Sequence, residues 1–263
     1  MKLIVKALKW GAVLIGGFVL LIGVEVLMVL RREFPLNDPE QPVRGEFGDP
    51  SLPRLRFVVL GDSTAVGVGT TPDKSFPWLL ASRLGERFHV VLDVVGFGGA
   101  TTKDLADHQV SQAIALKPDL ILVEIGANDT THVSPPWTVR SNLGKSLDRL
   151  IETGAPVVVA GPPDMGKSPV MAQPLRALAG IQSDKVTSIV ESEANKRGLP
   201  YIDLAGGVAN KELPPGFVYY STDSFHPGEG GYGLWAEIMY PAVLEAALAS
   251  DLRSAAPGGR AAG

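Results

Sequence analysis

Four short stretches hold side chains with chemistry to offer. Gly61-Asp62-Ser63 closes the apolar stretch 57–60, so a buried strand delivers one serine hydroxyl to a turn. Asp223 and His226 are three residues apart near the C-terminus, a spacing at which a single turn presents carboxylate and imidazole on one side. A serine hydroxyl is a poor nucleophile unless a base takes its proton, and that base needs an orienting partner. Ser63, His226 and Asp223 match those roles in type. Gly99, in the loop 96–102, and Asn128, in Gly126-Ala127-Asn128-Asp129, are of the types that donate N–H bonds to an oxyanion. Taken singly, each has an ordinary use: Asp-Ser as a cap, Asp-x-x-His as a surface turn, glycine as a tight turn or phosphate cradle, Asn-Asp as a turn.

The elements around these stretches alternate. Apolar, partly β-branched runs at 56–60, 90–95, 120–125, 157–160 and 201–204 read as strands. Helical patterns lie between and after them, at 76–88, to about 116, 139–153, 174–197 and 229–249. Five alternations of this kind make a parallel sheet with helices on both faces. Ligands of such sheets bind at the carboxyl ends of the strands, where each of the four stretches falls or is led by the chain.

Composition removes several classes of function. The net charge is only −4 and no basic stripe stands out beyond the N-terminal segment, which argues against nucleic acid as a partner. With no cysteine among 263 residues there is no disulfide, thiolate metal site or cysteine nucleophile. Neither His-Glu-x-x-His nor another metal signature is present, and no cofactor is expected. The loop 96–101 places Thr101 where a dinucleotide fingerprint needs its third glycine. Likewise 61–65 lacks the second glycine of a Gly-x-Ser-x-Gly elbow.

Both ends differ from the middle. Residues 10–30 are apolar except for Glu25, long enough to cross a ~30 Å hydrocarbon layer at ~1.5 Å per residue. The run exceeds a signal-peptide core and no Ala-x-Ala follows it, so residues 1–32 read as an uncleaved single-pass anchor. Lys2, Lys6 and Lys9 before the helix, against Arg31 and Arg32 after it, favour an inside N-terminus and an extracytoplasmic domain. Glu25 is expected near the outer interface. Residues 33–54 are a proline-rich linker, 55–250 the folded domain, and 251–263 a disordered tail.

In conjunction, Gly-Asp-Ser after the first strand, the glycine loop after the second, Gly-x-Asn-Asp after the third and Asp-x-x-His before the last helix resemble the SGNH family of GDSL-type esterases and lipases. The resemblance spans about 57–249. It implies a flavodoxin-like three-layer α/β/α fold with a five-stranded parallel sheet, Ser63 as nucleophile, Asp223 and His226 completing the triad, and an oxyanion hole of Ser63, Gly99 and Asn128. The implied function is hydrolysis of carboxylic esters or thioesters through an acyl-enzyme. An acyltransferase to a sugar or lipid hydroxyl, and a tethered acyl- or sugar-binding module, are the alternatives. The expected partners are a small ester, lipid or acylated-carbohydrate substrate, and the membrane through the N-terminal helix. Two positions depart from the family's usual pattern: Thr64 where leucine or isoleucine is common, and Ala100 where an aspartate follows the glycine. Of the remaining polar residues, Asp62 and Asp129 are expected to bond turn backbone, Asp164 to order a strand-end loop, and His132 to lie exposed.

Overall fold

The computed structural model describes residues 2–31 and 43–255, so residues 33–42 of the expected linker and all of the chain beyond Ala255 lie outside the described residues. In chain order, helix α1 (Lys2–Leu30) is followed by strands β1 (Arg44–Phe47) and β2 (Arg54–Gly61), α2 (Phe76–Leu84) and β3 (His89–Gly96). A broken helix comes next: α3 (Thr102–Asp104), a π-helical turn (Leu105–Gln109) and α4 (Val110–Ala115). After it come β4 (Leu120–Glu124), α5 (Ala127–Thr131), α6 (Pro136–Ile151), β5 (Val157–Ala160), α7 (Leu175–Asn195), β6 (Tyr201–Ile202), α8 (Leu204–Ala209) and α9 (Glu229–Ala255). The last helix runs six residues beyond the expected 249.

The sheet has six strands rather than five, in the order β1-β3-β2-β4-β5-β6. Strands β2 to β6 are parallel, as the alternation requires. The additional strand pairs antiparallel to β3 at the edge, Arg44 opposite Asp93 and Phe47 opposite Val90. Its sequence, Arg-Gly-Glu-Phe, is half exposed and has no apolar run, so only the free edge of β3 reveals it as a strand. Phe47 meets Trp78 edge-on at 4.9 Å, fixing this edge to α2.

Side chains of each central strand point alternately into two apolar layers. Phe57 and Val59 of β2, Leu120 and Leu122 of β4, and Val158 and Ala160 of β5 pack with α2 and α9. Val58 and Leu60, Ile121 and Val123, and Val157 and Val159 pack with α4, α6 and α7. This two-sided burial is why the strands read as unbroken apolar runs. Truncating Phe57, which is fully buried, to alanine would cost about 3–5 kcal/mol.

β2 sits between β3 and β4, so the chain leaving β3 crosses back over β2 to form β4. The crevice of a doubly wound sheet opens at such a reversal, beyond the carboxyl end of β2. Ser63 stands there. Apart from this domain, α1 carries a segment, Ile4–Val29, long and apolar enough to cross a membrane.

Candidate active site

The geometry at the end of β2 begins with Gly61. A Cβ there would come within 2.5 Å of the Glu124 carbonyl oxygen and 2.8 Å of Ala65 Cβ, so no larger residue fits. Gln109, in the π-helical turn, clamps this glycine from both sides. Its Nε2 donates to the Gly61 carbonyl at 2.8 Å, and its Oε1 accepts the Gly61 N–H at 3.1 Å. Beyond the strand the chain does not enter a helix at once. Residues 63–68 form successive turns, closed by Val66 N–H to the Asp62 carbonyl and Val68 N–H to the Ser63 carbonyl, and the next α-helix begins at Phe76. Tyr232 of α9 donates to the Val68 carbonyl at 2.6 Å and holds the turn from below.

Ser63 meets Asp223 and His226, which lie 160 or more residues further along the chain, at this edge. Ser63 Oγ lies 3.0 Å from His226 Nε2, and His226 Nδ1 lies 2.6 Å from Asp223 Oδ2. The other oxygen of Asp223, Oδ1, accepts three bonds: from Ser221 Oγ at 2.7 Å, Phe225 N–H at 2.7 Å and His226 N–H at 2.9 Å. Burial works to raise this carboxyl, but the His226 ring and the other donors outweigh it and hold Asp223 well below the usual carboxylate range. An ionised Asp223 leaves Nδ1 of His226 as the protonated nitrogen and Nε2 free to accept from Ser63. Ser224, between them, takes φ +61°, the tight bend that turns Asp223 and His226 to one side.

Asn128 opens α5, just after Gly126, whose φ of +124° is accessible to glycine and strained for other residues. The Asn128 amide nitrogen donates to the Ala100 carbonyl at 3.0 Å and to Asp62 Oδ2 at 3.3 Å. It therefore bridges the turn after β2 and the glycine loop after β3. In that loop Gly99 has φ +81° with open space where a Cβ would stand, so it is the conformation and not crowding that selects glycine. Gly98, its neighbour, has no such backbone requirement. The adjacent Asp129 accepts from both the N–H and the hydroxyl of Thr102, at 2.8 and 2.9 Å, tying the α5 loop to the start of α3.

Under the serine turn Asp62 and Thr64 meet Glu124, a residue that the motifs did not single out. Thr64 bonds through its hydroxyl to Asp62 Oδ1 at 2.9 Å and to Glu124 Oε2, and its N–H donates to Asp62 Oδ1 at 3.0 Å. Both carboxyls are fully buried. Burial first, and the charge of Asp62 second, push Glu124 well above the usual carboxyl range. Two buried carboxylates this close cannot both ionise. Asp62 has the donors to keep the charge, whereas Glu124 has one partner, so Glu124 holds the proton. One hydrogen-bond chain then joins the three side chains: Glu124 O–H to Thr64 Oγ, Thr64 O–H to Asp62, and Asn128 N–H to the same carboxylate, with Glu124 Oε1 left without a partner among the described residues. A carboxyl in the otherwise apolar run Leu-Ile-Leu-Val-Glu-Ile was the signal available in the sequence.

Of the other polar residues, Asp164 caps the short turn Met165–Lys167 by accepting from Gly166 N–H at 2.8 Å. His132 is exposed at the end of α5. An apolar cavity of about 250 Å³ lies beside His226, whose two chain neighbours, Phe225 and Pro227, line it along with Met165, Leu213 and Tyr219. Ser63 and Asn128 are not among its walls.

The model of the GDSL-like lipase/acylhydrolase family matches residues 59–234, from within β2 to within α9. The chain belongs to that family. Among curated members, a GDSL-like esterase of Mycobacterium tuberculosis is 29% identical over 196 residues, covering 73% of this chain and 62% of that protein. An arylesterase of Vibrio mimicus is 34% identical over 119 residues, covering 43% and 58%. The chain thus spans about three fifths of the length of these two relatives. A lipase/acylhydrolase structure from Enterococcus faecalis has the same fold, with a TM-score of 0.58 at 21% identity over 71% of this chain and 94% of that one.

Proposed function

We propose that this protein is a membrane-anchored serine hydrolase that cleaves carboxylic esters or thioesters through an acyl-enzyme. The observation that carries the reading is the unbroken hydrogen-bonded series Ser63 Oγ, His226 Nε2, His226 Nδ1, Asp223 Oδ2, at 3.0 and 2.6 Å. In this mechanism Ser63 Oγ bonds to the ester carbonyl carbon while His226 Nε2 takes its proton. The carbonyl oxygen, now carrying the negative charge, is met by the Ser63 and Gly99 amides and by Asn128 Nδ2, whose longer 3.3 Å bond to Asp62 is the one it displaces. As the tetrahedral intermediate collapses, the bond to the leaving alcohol breaks and His226 returns the proton to that oxygen. Water then attacks the acyl-enzyme by the same route, giving the acid and free Ser63. Asp223 stays ionised throughout and stabilises the imidazolium.

The reading places the reaction in residues 55–250 and takes α1 as a single-pass anchor. It is supported by the family membership, by the names of the two esterase relatives and by the apolar span Ile4–Val29. Lys2, Lys6 and Lys9 at the N-terminal end of α1 favour an extracytoplasmic domain.

Ser63→Ala should lower kcat on a short acyl ester by about 10⁴ or more and abolish labelling by a fluorophosphonate. Retained turnover in the purified variant would refute the mechanism. Alkaline extraction of membranes should leave the full chain in the pellet, and its release would refute the anchor.

A further inference from the structure

We propose that α1 is docked on the catalytic domain rather than loosely tethered to it, and that this docking sets the catalytic rim against the bilayer so that the substrate is an ester carried by a membrane lipid. The substrate class rests on the hydrolase reading above. The docking rests on separate observations.

From residue 16 to residue 29 of α1 the side chains are exposed except at Ile22, Glu25 and Val29. Spaced three and four residues apart, these three form one stripe. Glu25 is buried, and its Oε2 accepts the N–H of Leu175, the first residue of α7, at 3.0 Å. Each group answers a need of the other. The first N–H groups of a helix have no partner within it, and the residue capping α7, Pro174, supplies no side-chain bond. A carboxyl within an apolar span needs a donor, and the start of a helix offers one together with the positive end of its dipole.

Four residues further along, Val29 packs against a cluster of Ala127, Met165, Val170 and Met171, joined by Leu175 and Phe225. Ala127 precedes Asn128, and Phe225 precedes His226. The same segment is bonded to the histidine loop: Val170 N–H and Ser168 Oγ both donate to the Ser224 carbonyl at 3.2 Å. The end of the anchor therefore touches the scaffold of both the base and the amide donor.

Depth follows from this contact. Glu25 lies about one turn inside the end of the apolar span, so the start of α7 sits where hydrocarbon meets headgroups. The surface there has the composition of an interfacial one. Leu178 and Ile181 of α7 are 41% and 55% exposed, on the helix that also carries Arg176. Behind it the apolar cavity beside His226 shares Met165 and Phe225 with the cluster that Val29 covers, which suits the acyl chain of an amphiphile drawn from the same membrane.

The test uses the full chain in phosphatidylcholine–phosphatidylglycerol vesicles, with a fluorogenic long-chain acylglycerol in the bilayer and a water-soluble butyrate ester outside. Glu25→Leu should float with the vesicles and cleave the soluble ester within twofold of wild type, but cleave the bilayer ester at least fivefold more slowly. Equal rates on the bilayer ester, or an equal fall on both substrates, would overturn the proposal. Because the chain has no cysteine, a fluorophore at Leu178→Cys reports position whether or not the Glu25 variant inserts. Brominated lipid should quench it and leave a fluorophore at Glu86→Cys, on the opposite edge of the sheet, unaffected. Equal quenching at both would overturn the docking. If instead Ser63→Ala retains turnover on both esters while the quenching pattern holds, the hydrolase reading fails and the docking stands.

Discussion

Asp223 and Glu124 are both carboxyl groups withdrawn from water near the carboxyl edge of one sheet, yet the protein holds them in opposite states. Asp223 faces four donors, three on Oδ1 and the His226 ring on Oδ2, and stays ionised well below the usual range. Glu124 is more deeply buried, bonds through one oxygen only, and has the charge of Asp62 for a neighbour, so it is pushed up and stays neutral. Burial alone raises both. What separates them is the number of N–H and O–H groups aimed at each, which the fold supplies from different segments. In the proposed mechanism the charged one orients the base, and the neutral one props the serine turn.

The sharpest way to break this contrast is Asp223→Asn. It keeps the shape and removes the charge, so His226 loses the partner that fixes its tautomer, and kcat on a short ester should fall by about 10⁴. A loss below tenfold would mean that Asp223 does no more than Glu124. Asn128→Ala removes an oxyanion donor and frees Asp62, and it should lower kcat by about 10²–10³ with little change in KM. Asp62→Asn places an amide against the Asn128 amide and leaves a donor without an acceptor, costing about 1–3 kcal/mol of stability, read by urea denaturation.

Glu124→Gln should have the smallest effect on rate, within about twofold, because the neutral amide can still donate to Thr64; its signature is in stability against pH. Native Glu124 keeps its proton above the ordinary value of 4.5, whereas the unfolded chain releases it there. In that window, from 4.5 up to the raised native value, wild-type stability falls as pH rises, by at most about 1.4 kcal/mol per unit from this group. The variant should lack that slope and gain on wild type as pH rises. Asp223 contributes in the reverse sense: its stabilisation is present above the ordinary aspartate value of 3.8 and is lost as pH falls through its depressed native value. Parallel stability curves for wild type and Glu124→Gln between pH 4 and 8 would place the proton elsewhere.

The parts legible in the sequence are those that local pattern enforces. Val58, Leu60, Ile121 and Val159 lie in runs that no helix period or turn chemistry explains, so composition alone marks the parallel strands. Gly61-Asp62-Ser63 marks the strand end because only glycine fits under the Glu124 carbonyl. What escaped local reading depends on distant partners. The edge strand β1 has no apolar run and exists because β3 has an unpaired side. Gln109 is one polar residue in a helix until the π-helical turn aims it at Gly61. Glu25 reads as an interfacial charge until the start of α7 supplies its donor.

The amino-acid sequence thus determined the doubly wound sheet, the family and the residue types at the site, because burial and turn chemistry act over a few neighbouring positions. Tertiary structure alone decided that residues 63, 223 and 226 lie within hydrogen-bonding reach, which of two buried carboxyls keeps its proton, and where α1 rests. Those depend on distances and donor counts between segments far apart in the chain, which exist only once the chain has closed on itself.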